Sequence, residues 1–391
     1  MIKNIIKYVK YFKFIYLLYY WIGSFFLYLM KKLIVPQNNL ILFISFGGKK
    51  FDDSPKAIYD QMIRDNRFDS YELVWAFQNP EDFEIPRGSK VKTDSLKYYV
   101  IALKSRCWIT NSRVERGLSF KGKNTFYFNT WHGTPIKKMG TDISHNNKSF
   151  GTKAKWDIDI MTSQSKYEAD IFARVFDIER EKFVISGLPR NDVLIDATPK
   201  IKKDILQKMG LPLDKKVILY APTFREYERD KQLNCIMAPP IDFSKWEKEI
   251  GEEYILLLRA HYEVAEVLNV NQSQGFVYNV SDYPILNELM IASDVLISDY
   301  SSIFFDYSIQ NKPMICFAYD YDTYTDKRGL YFNVMKALPS GSNENDILDI
   351  IQTKSSNDIL TQVKSFRKSY VQSFGNATNS AIDIIYENIK K

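Results

Sequence analysis

Catalytic side chains are scarce in this chain, and their placement is not random. Only three histidines occur in 391 residues. His132 lies in Trp131-His132-Gly133-Thr134-Pro135, where the run Thr125-Phe126-Tyr127-Phe128 opens into a Gly/Pro turn. An imidazole at a strand end of an α/β protein is a candidate general base. The bland alternative is a packed, hydrogen-bonded rim histidine. His261 weighs against it, because it ends a second strand-like run, Tyr254 to Ala260.

Phosphate chemistry is suggested by Ser298-Asp299-Tyr300-Ser301-Ser302, which follows an apolar run and leads into Ile303-Phe304-Phe305-Asp306. Serine hydroxyls and free N–H groups at a helix start form an anion site, although simple N-capping uses the same residues. Ser302 and Asp306 are four apart and share a helix face if the helix includes both. A carboxylate one turn beyond a phosphate site suits ribose hydroxyls. Cations stand at further strand ends and turns: Lys137-Lys138, Arg190 in Pro189-Arg190-Asn191-Asp192, Arg225 in Ala221-Pro222-Thr223-Phe224-Arg225, and Arg259 beside Ala260 and His261. An arginine fork binds phosphate bidentately, so several converging on one site would hold a charged donor.

No Gly-x-x-x-x-Gly-Lys-Ser/Thr, Gly-x-Gly-x-x-Gly or Gly-x-Ser-x-Gly segment is present, which argues against P-loop ATPases, common dinucleotide oxidoreductases and nucleophile-elbow hydrolases. Asp157-Ile158-Asp159 falls in a strand-like run and is not read as a metal site; no cofactor is implied. Cys107, Cys235 and Cys316 are isolated, as in a protein of a reducing, cytoplasmic compartment.

The elements that must position these residues follow from apolar runs. Leu40 to Phe46, Tyr71 to Phe77, Cys107 to Thr110, Phe126 to Trp131, Ile158 to Thr162 and Phe183 to Ser186 read as buried strands. A second series comprises Val217 to Ala221, Ile255 to Leu258, Phe276 to Val280, Val295 to Ser298 and Met314 to Phe317. Such runs separated by helix-like stretches imply parallel sheets of βαβ units. Two doubly wound, Rossmann-like domains, 36–190 and 191–391, are expected to face a cleft into which His132 and His261 converge.

The net charge of +6 resides wholly in residues 1–36, which carry Lys3, Lys7, Lys10, Lys13, Lys31 and Lys32 and no acid. The remainder is balanced, so no nucleic-acid-binding face is implied. Residues 1–35 read as a basic amphipathic helix followed by an aromatic, uncharged stretch from Phe14 to Met30. That stretch is only marginally long for a span and suits the membrane surface. No small-residue cleavage pattern follows Met30, which disfavours a signal peptide.

Taken in order, Trp131-His132-Gly133-Thr134-Pro135, Pro189-Arg190-Asn191-Asp192, Ala221-Pro222-Thr223-Phe224-Arg225, Arg259-Ala260-His261 and Ser298 through Asp306 resemble the CDP-glycerol glycerophosphotransferases of wall teichoic acid synthesis. That family includes primases and glycerol- and ribitol-phosphate polymerases. The resemblance covers roughly residues 40–375. It implies a GT-B fold with an N-terminal acceptor domain and a C-terminal donor domain, attached to the cytoplasmic face of the cell membrane. The implied reaction moves glycerol phosphate from CDP-glycerol, or ribitol phosphate from CDP-ribitol, to a lipid-linked acceptor and releases CMP.

By the same resemblance, His132 would deprotonate the acceptor hydroxyl. His261, the second catalytic residue, with Arg259, Arg190, Ser301 and Ser302, would hold the pyrophosphate and stabilise the charge developing on CMP, and Asp306 would hold the ribose. Trp131, Gly133, Thr134, Pro135, Pro222, Thr223, Arg225 and Ala260 would complete the substrate-binding set. A nucleotide-sugar glycosyltransferase of the same fold is the alternative enzyme, and a non-catalytic membrane-bound nucleotide-binding module the third reading.

Overall fold

The computed structural model describes residues 13–143, 155–223, 225, 240–260 and 275–390. His261, the basic stretch before Lys13, Phe224 and Cys235 lie outside the described residues.

Apolar runs bury both faces of their strands and form parallel sheets, as covered α/β sheets require. Seven strands make the first sheet, in the order β3-β2-β1-β4-β5-β6-β7. They are β1 Gln37–Ile44, β2 Glu72–Phe77, β3 Ser89–Lys92, β4 Ser105–Thr110, β5 Phe126–Asn129, β6 Ile160–Ser163 and β7 Phe183–Ile185. The second sheet, in the order β10-β9-β8-β11-β12-β13, comprises β8 Lys216–Ala221, β9 Tyr254–Leu258, β10 Val277–Asn279, β11 Val295–Ser298, β12 Met314–Phe317 and β13 Ser340–Gly341. Every ladder is parallel, with Leu42 opposite Val74 and Trp108 in the first sheet and Leu296 opposite Leu219 and Met314 in the second. The α/β, GT-B class is therefore present: two Rossmann-like units.

Each expected run is a strand. The short edge strands β3 and β13 were not anticipated, because Ser-Lys-Val-Lys and a Ser-Gly pair carry no apolar run.

The chain forms two compact units. The first holds residues up to His132, Met139–Asp192, and the chain from Asn376; the second holds Gly133–Lys138 and Val193–Gly375. This departs from the expected division at 190/191 in two places, each with a packing cause. The helix Ala377–Ile389 buries Ala381, Ile382, Ile385 and Ile389 against Ile58, Tyr59, Met62, Phe68, Cys107 and Phe128 of the first unit. Both Asp192 oxygens accept its leading amides, Ala377 N at 3.0 Å and Thr378 N at 2.7 Å. In the second unit, residues 133–138 pair with 329–331: Lys138 N donates to Gly329 O and Tyr331 N to Ile136 O.

The first 21 described residues form one helix, Lys13–Leu33. One side docks on the first unit. Tyr16 Oη donates to Gly117 O, Ser119 N to Ser24 Oγ, and Lys31 Nζ to Lys121 O. Gly23 lies where a Cβ would come within 2.8 Å of Leu118 Cδ2. The other side leaves Phe14, Leu18, Trp21, Ile22, Phe25, Phe26, Leu29 and Leu33 exposed. Phe14–Leu33 is the one helix among the described residues long and apolar enough to cross a membrane.

Candidate active site

In an open parallel sheet, ligands bind beyond the carboxyl ends of the strands where the strand order reverses. The first sheet reverses between β1 and β4, the second between β8 and β11. His132 and Arg190 meet the first of these places, and Pro222-Thr223 with Asp299–Ser302 form the second, whereas Arg259-Ala260 lies at the end of β9 beside the chain after β10.

In the first unit, β1 is followed by a turn of Phe46, Gly47 and Gly48, all left-handed at φ 47°, 64° and 85°. Glycine suits this path: a Cβ on Gly48 would lie 3.0 Å from Gln78 N and 2.7 Å from Thr93 Cγ2. The turn is tied to the end of β4, with Phe46 N donating to Asn111 Oδ1 and Gly47 N to Ser112 Oγ. His132 meets the same strand end through Nδ1, 2.7 Å from Asn111 O. A carbonyl oxygen can only accept, so Nδ1 carries the hydrogen and Nε2 is the nitrogen able to take a proton.

Trp131, at φ 50°, stacks on the His132 ring at 4.1 Å and packs against Trp156, Phe172 and Phe176. That left-handed turn costs about 1–3 kcal/mol, and Asn129 Oδ1, which accepts from Trp131 N, helps hold it. The indole is half-buried among these rings, while His132 keeps solvent exposure. Thr134 and Pro135 are buried and Trp131 and Gly133 half-buried, which leaves His132 as the exposed residue of the five.

His132 lies among enough protein atoms for burial to lower its pKa from the ordinary imidazole value; the Asn111 carbonyl and Asp53 oppose that shift, and Arg190 adds to it. Arg190 was expected among the pyrophosphate ligands. Within this unit its Nη1 pairs with Asp53 Oδ2 at 3.0 Å, the two side chains being 9% and 8% exposed. Asp53, itself at φ 67°, is a charged neighbour of His132 that the sequence reading missed. Asp52-Asp53-Ser54-Pro55 reads only as a helix start, which is also what it is. Asp159 accepts from Tyr127 N and pairs with Lys121.

In the second unit the reversal brings Pro222-Thr223, after β8, beside Asp299–Ser302, after β11. Asp299 Oδ1 accepts from Thr223 N at 2.9 Å, from Thr223 Oγ1, and from Tyr300 N at 2.7 Å. Ser302 precedes the helix Ile303–Ser308 without a side-chain cap, whereas Ser301 Oγ accepts from Ile303 N at 3.3 Å. That helix has six residues, so its dipole adds little to anion binding. Asp306 lies one turn beyond Ser302 and is 4% exposed. Gly133 packs on this turn, and a Cβ there would lie 2.8 Å from Ser302 Oγ. At the end of β9, Arg259 Nη1 donates to Tyr283 O at 2.7 Å and Ala260 N to Ser281 Oγ.

Arg225 differs from expectation. It is 1% exposed, and its guanidinium bonds Asp320 through Nε at 2.7 Å and Nη2 at 2.8 Å, and Asp299 through Nη1 at 2.8 Å. A fork committed to two carboxylates is not an open phosphate fork. Its sequence partners lie 74 and 95 residues away, beyond the reach of local spacing.

The family described as CDP-Glycerol:Poly(glycerophosphate) glycerophosphotransferase matches residues 27–387. The chain belongs to this family. This glycerophosphotransferase is 33% identical over 355 residues to the teichoic acid glycerol-phosphate transferase of Staphylococcus aureus, covering 86% of this chain and 87% of that one. Over 319 residues it is 37% identical to the teichoic acid poly(glycerol phosphate) polymerase of Staphylococcus epidermidis, covering 78% of this chain but only 43% of that longer protein. The wall teichoic acid polymerase TagF has a similar structure, with TM-score 0.82, 33% identity, and coverage of 92% of this chain and 91% of that chain. A TagF variant soaked with CDPG is similar at TM-score 0.81. The chain is thus an enzyme of the CDP-glycerol glycerophosphotransferase class, whose members serve teichoic acid synthesis.

Proposed function

We propose that this glycerophosphotransferase moves glycerol phosphate from CDP-glycerol to a hydroxyl of a lipid-linked acceptor, with His132 as general base. The acceptor oxygen attacks the phosphorus that bears glycerol, a new P–O bond forms, and the bond to the bridging pyrophosphate oxygen breaks. CMP leaves, and the acceptor proton passes to Nε2 of His132. The observation that carries this reading is the Asn111 carbonyl on Nδ1, which fixes the tautomer with its basic nitrogen outward. The neighbouring protein atoms also favour the neutral ring, the form a base requires. Thr223, Ser301 and Ser302 contribute donor contacts, and phosphoryl transfer needs mainly such positioning and charge stabilisation. The CDPG-soaked TagF supports CDP-glycerol as donor.

The reaction is assigned to the cytoplasmic membrane surface. Polar bonds fasten the helix Lys13–Leu33 to the first unit from Tyr16 to Lys31. A spanning helix would drag these partners into hydrocarbon, where unsatisfied polar groups cost several kcal/mol each. Lying in the interface, with Trp21, Phe25 and Phe26 toward lipid, satisfies both sides.

The test is release of CMP from CDP-glycerol, CDP-ribitol and UDP-sugars with a defined lipid-linked acceptor, and mass analysis of the product. CDP-glycerol is expected to be used in preference. Preference for CDP-ribitol transfers the reading to ribitol phosphate, a substrate in the name of a related Bacillus spizizenii polymerase; turnover of UDP-sugars alone overturns it.

A further inference from the structure

The interior of the second unit holds a charged group that the reaction as described does not use. Arg225, Asp299 and Asp320 have side chains 1%, 2% and 4% exposed, and together they link the ends of three adjacent strands. Thr223 and Arg225 follow β8, Asp299 follows β11, and Asp320 follows β12. One guanidinium bonds all three: Nη1 reaches both Thr223 O at 2.7 Å and Asp299 Oδ2, while Nε and Nη2 grip Asp320 with a bidentate fork. Tyr300 Oη donates to Asp320 Oδ1 at 3.1 Å. The rings of Tyr300, Tyr319 and Tyr324 surround the guanidinium, their centroids 5.1, 5.0 and 4.8 Å from Cζ.

Stability alone is a poor reason for this arrangement. Desolvating three charges costs several kcal/mol per ion, and apolar replacements of buried ion networks are often neutral or stabilising. What such a network does supply is geometry. Asp299 has one oxygen for Arg225 and the other for three donors on Thr223 and Tyr300. Its carboxylate therefore fixes the spacing between the Pro222-Thr223 turn and the Ser301-Ser302 turn, and Arg225 with Asp320 fixes the carboxylate.

We propose that the Asp299–Arg225–Asp320 triad is the positioning device of the donor site, holding Thr223 and Ser301-Ser302 at the separation that the CDP-polyol pyrophosphate requires. This rests on the donor reading above. Arg225 acts through Asp299 and does not touch the donor.

Charge and geometry make opposite demands on Asp320→Asn. That variant removes a negative charge behind an anion site, which by charge alone tightens donor binding; it also loosens the fork, which by positioning weakens it. Arg225→Lys keeps the charge and loses the fork. Tyr300→Phe removes a single hydroxyl.

The experiment measures CMP binding by calorimetry, the KM for CDP-glycerol and for acceptor, and thermal unfolding, in wild type and the three variants. Expected are at least tenfold increases in CMP Kd and donor KM for Arg225→Lys and Asp320→Asn, and two- to threefold for Tyr300→Phe. Acceptor KM should be unchanged. Four outcomes overturn the proposal: tighter CMP binding by Asp320→Asn, unchanged donor KM in folded variants, equal rises in both KM values, or failure of both charged-site variants to fold. A wild type that turns over no CDP-glycerol instead overturns the donor reading itself, a result independent of the variants.

Discussion

The two sheets share the strand order 3-2-1-4-5-6 counted from the start of each unit, which the first extends by a seventh strand, yet they hold the turn at the reversal point in different ways. In the first unit the turn after β1, left-handed at three successive residues, is held chiefly by neutral hydrogen bonds to Asn111, Ser112 and Gln78, with Arg116 adding a 3.4 Å bond to Gly47 O. In the second the turns after β8 and β11 are held by buried ions. On the proposed roles, the difference matches what each unit must present. A base must keep one neutral ring in one tautomer, and nearby full charges would move its pKa; the Asp53–Arg190 pair brings both signs together, and their effects on His132 oppose each other. A pyrophosphate site must keep several dipoles at fixed separation against a strong anionic pull, and a charged fork resists that pull better than a neutral bond. One fold thus supports two kinds of preorganisation.

The sharpest test of this contrast is His132→Ala. Loss of a general base is expected to lower kcat by about 10²–10⁴-fold while CMP binding stays within twofold, as measured by single-turnover rates and calorimetry. Unchanged kcat would remove His132 from the mechanism. Gly133→Ala tests the packing around the Ser302 turn within the second unit. Its Cβ forces Ser302 to move, and an increase in donor KM of about tenfold, near 1.4 kcal/mol, is expected with little change in thermal midpoint.

Smaller effects test the electrostatics. A base must be deprotonated, and burial lowers the His132 pKa. The acid limb of kcat/KM should therefore fall below the ordinary imidazole value, with rate gained as pH rises through it. Asp53→Asn removes a group that raises this pKa and should shift the limb to lower pH. Arg190→Gln removes one that lowers it and should shift the limb upward. Shifts of the same sign in both variants would break the account of opposed charges. The smallest catalytic effect is expected from Trp21→Ser with Phe25→Ser. Sedimentation with anionic vesicles should weaken, while turnover of a short, detergent-soluble acceptor remains unchanged.

Much of this was legible in the sequence, for physical reasons that also mark the limit. Central strands are apolar on both faces, so Leu40 to Ile44 or Tyr254 to Leu258 announce themselves. His132 was legible because a strand, a Gly/Pro turn and a rare titratable residue coincide. Arg225 was misjudged because its environment is made by Asp299 and Asp320, far along the chain. Asp53 was missed because an acid at a helix start already has an ordinary explanation. The return of Ala377–Ile389 to the first unit was not legible either, since an amphipathic helix does not state which core it will cover.

That returning helix has a consequence for how the protein is made. Ile382, Ile385 and Ile389 complete a core whose other walls are Phe43, Ile58, Tyr59 and Phe128. On the ribosome those walls emerge first, and some 180 residues of the second unit are threaded out before the helix arrives. Until that helix is made, the first unit stands with an open apolar groove, the kind of exposed surface through which partly folded chains aggregate. The sheet that is translated first thus completes its core only after the whole second unit has been synthesised.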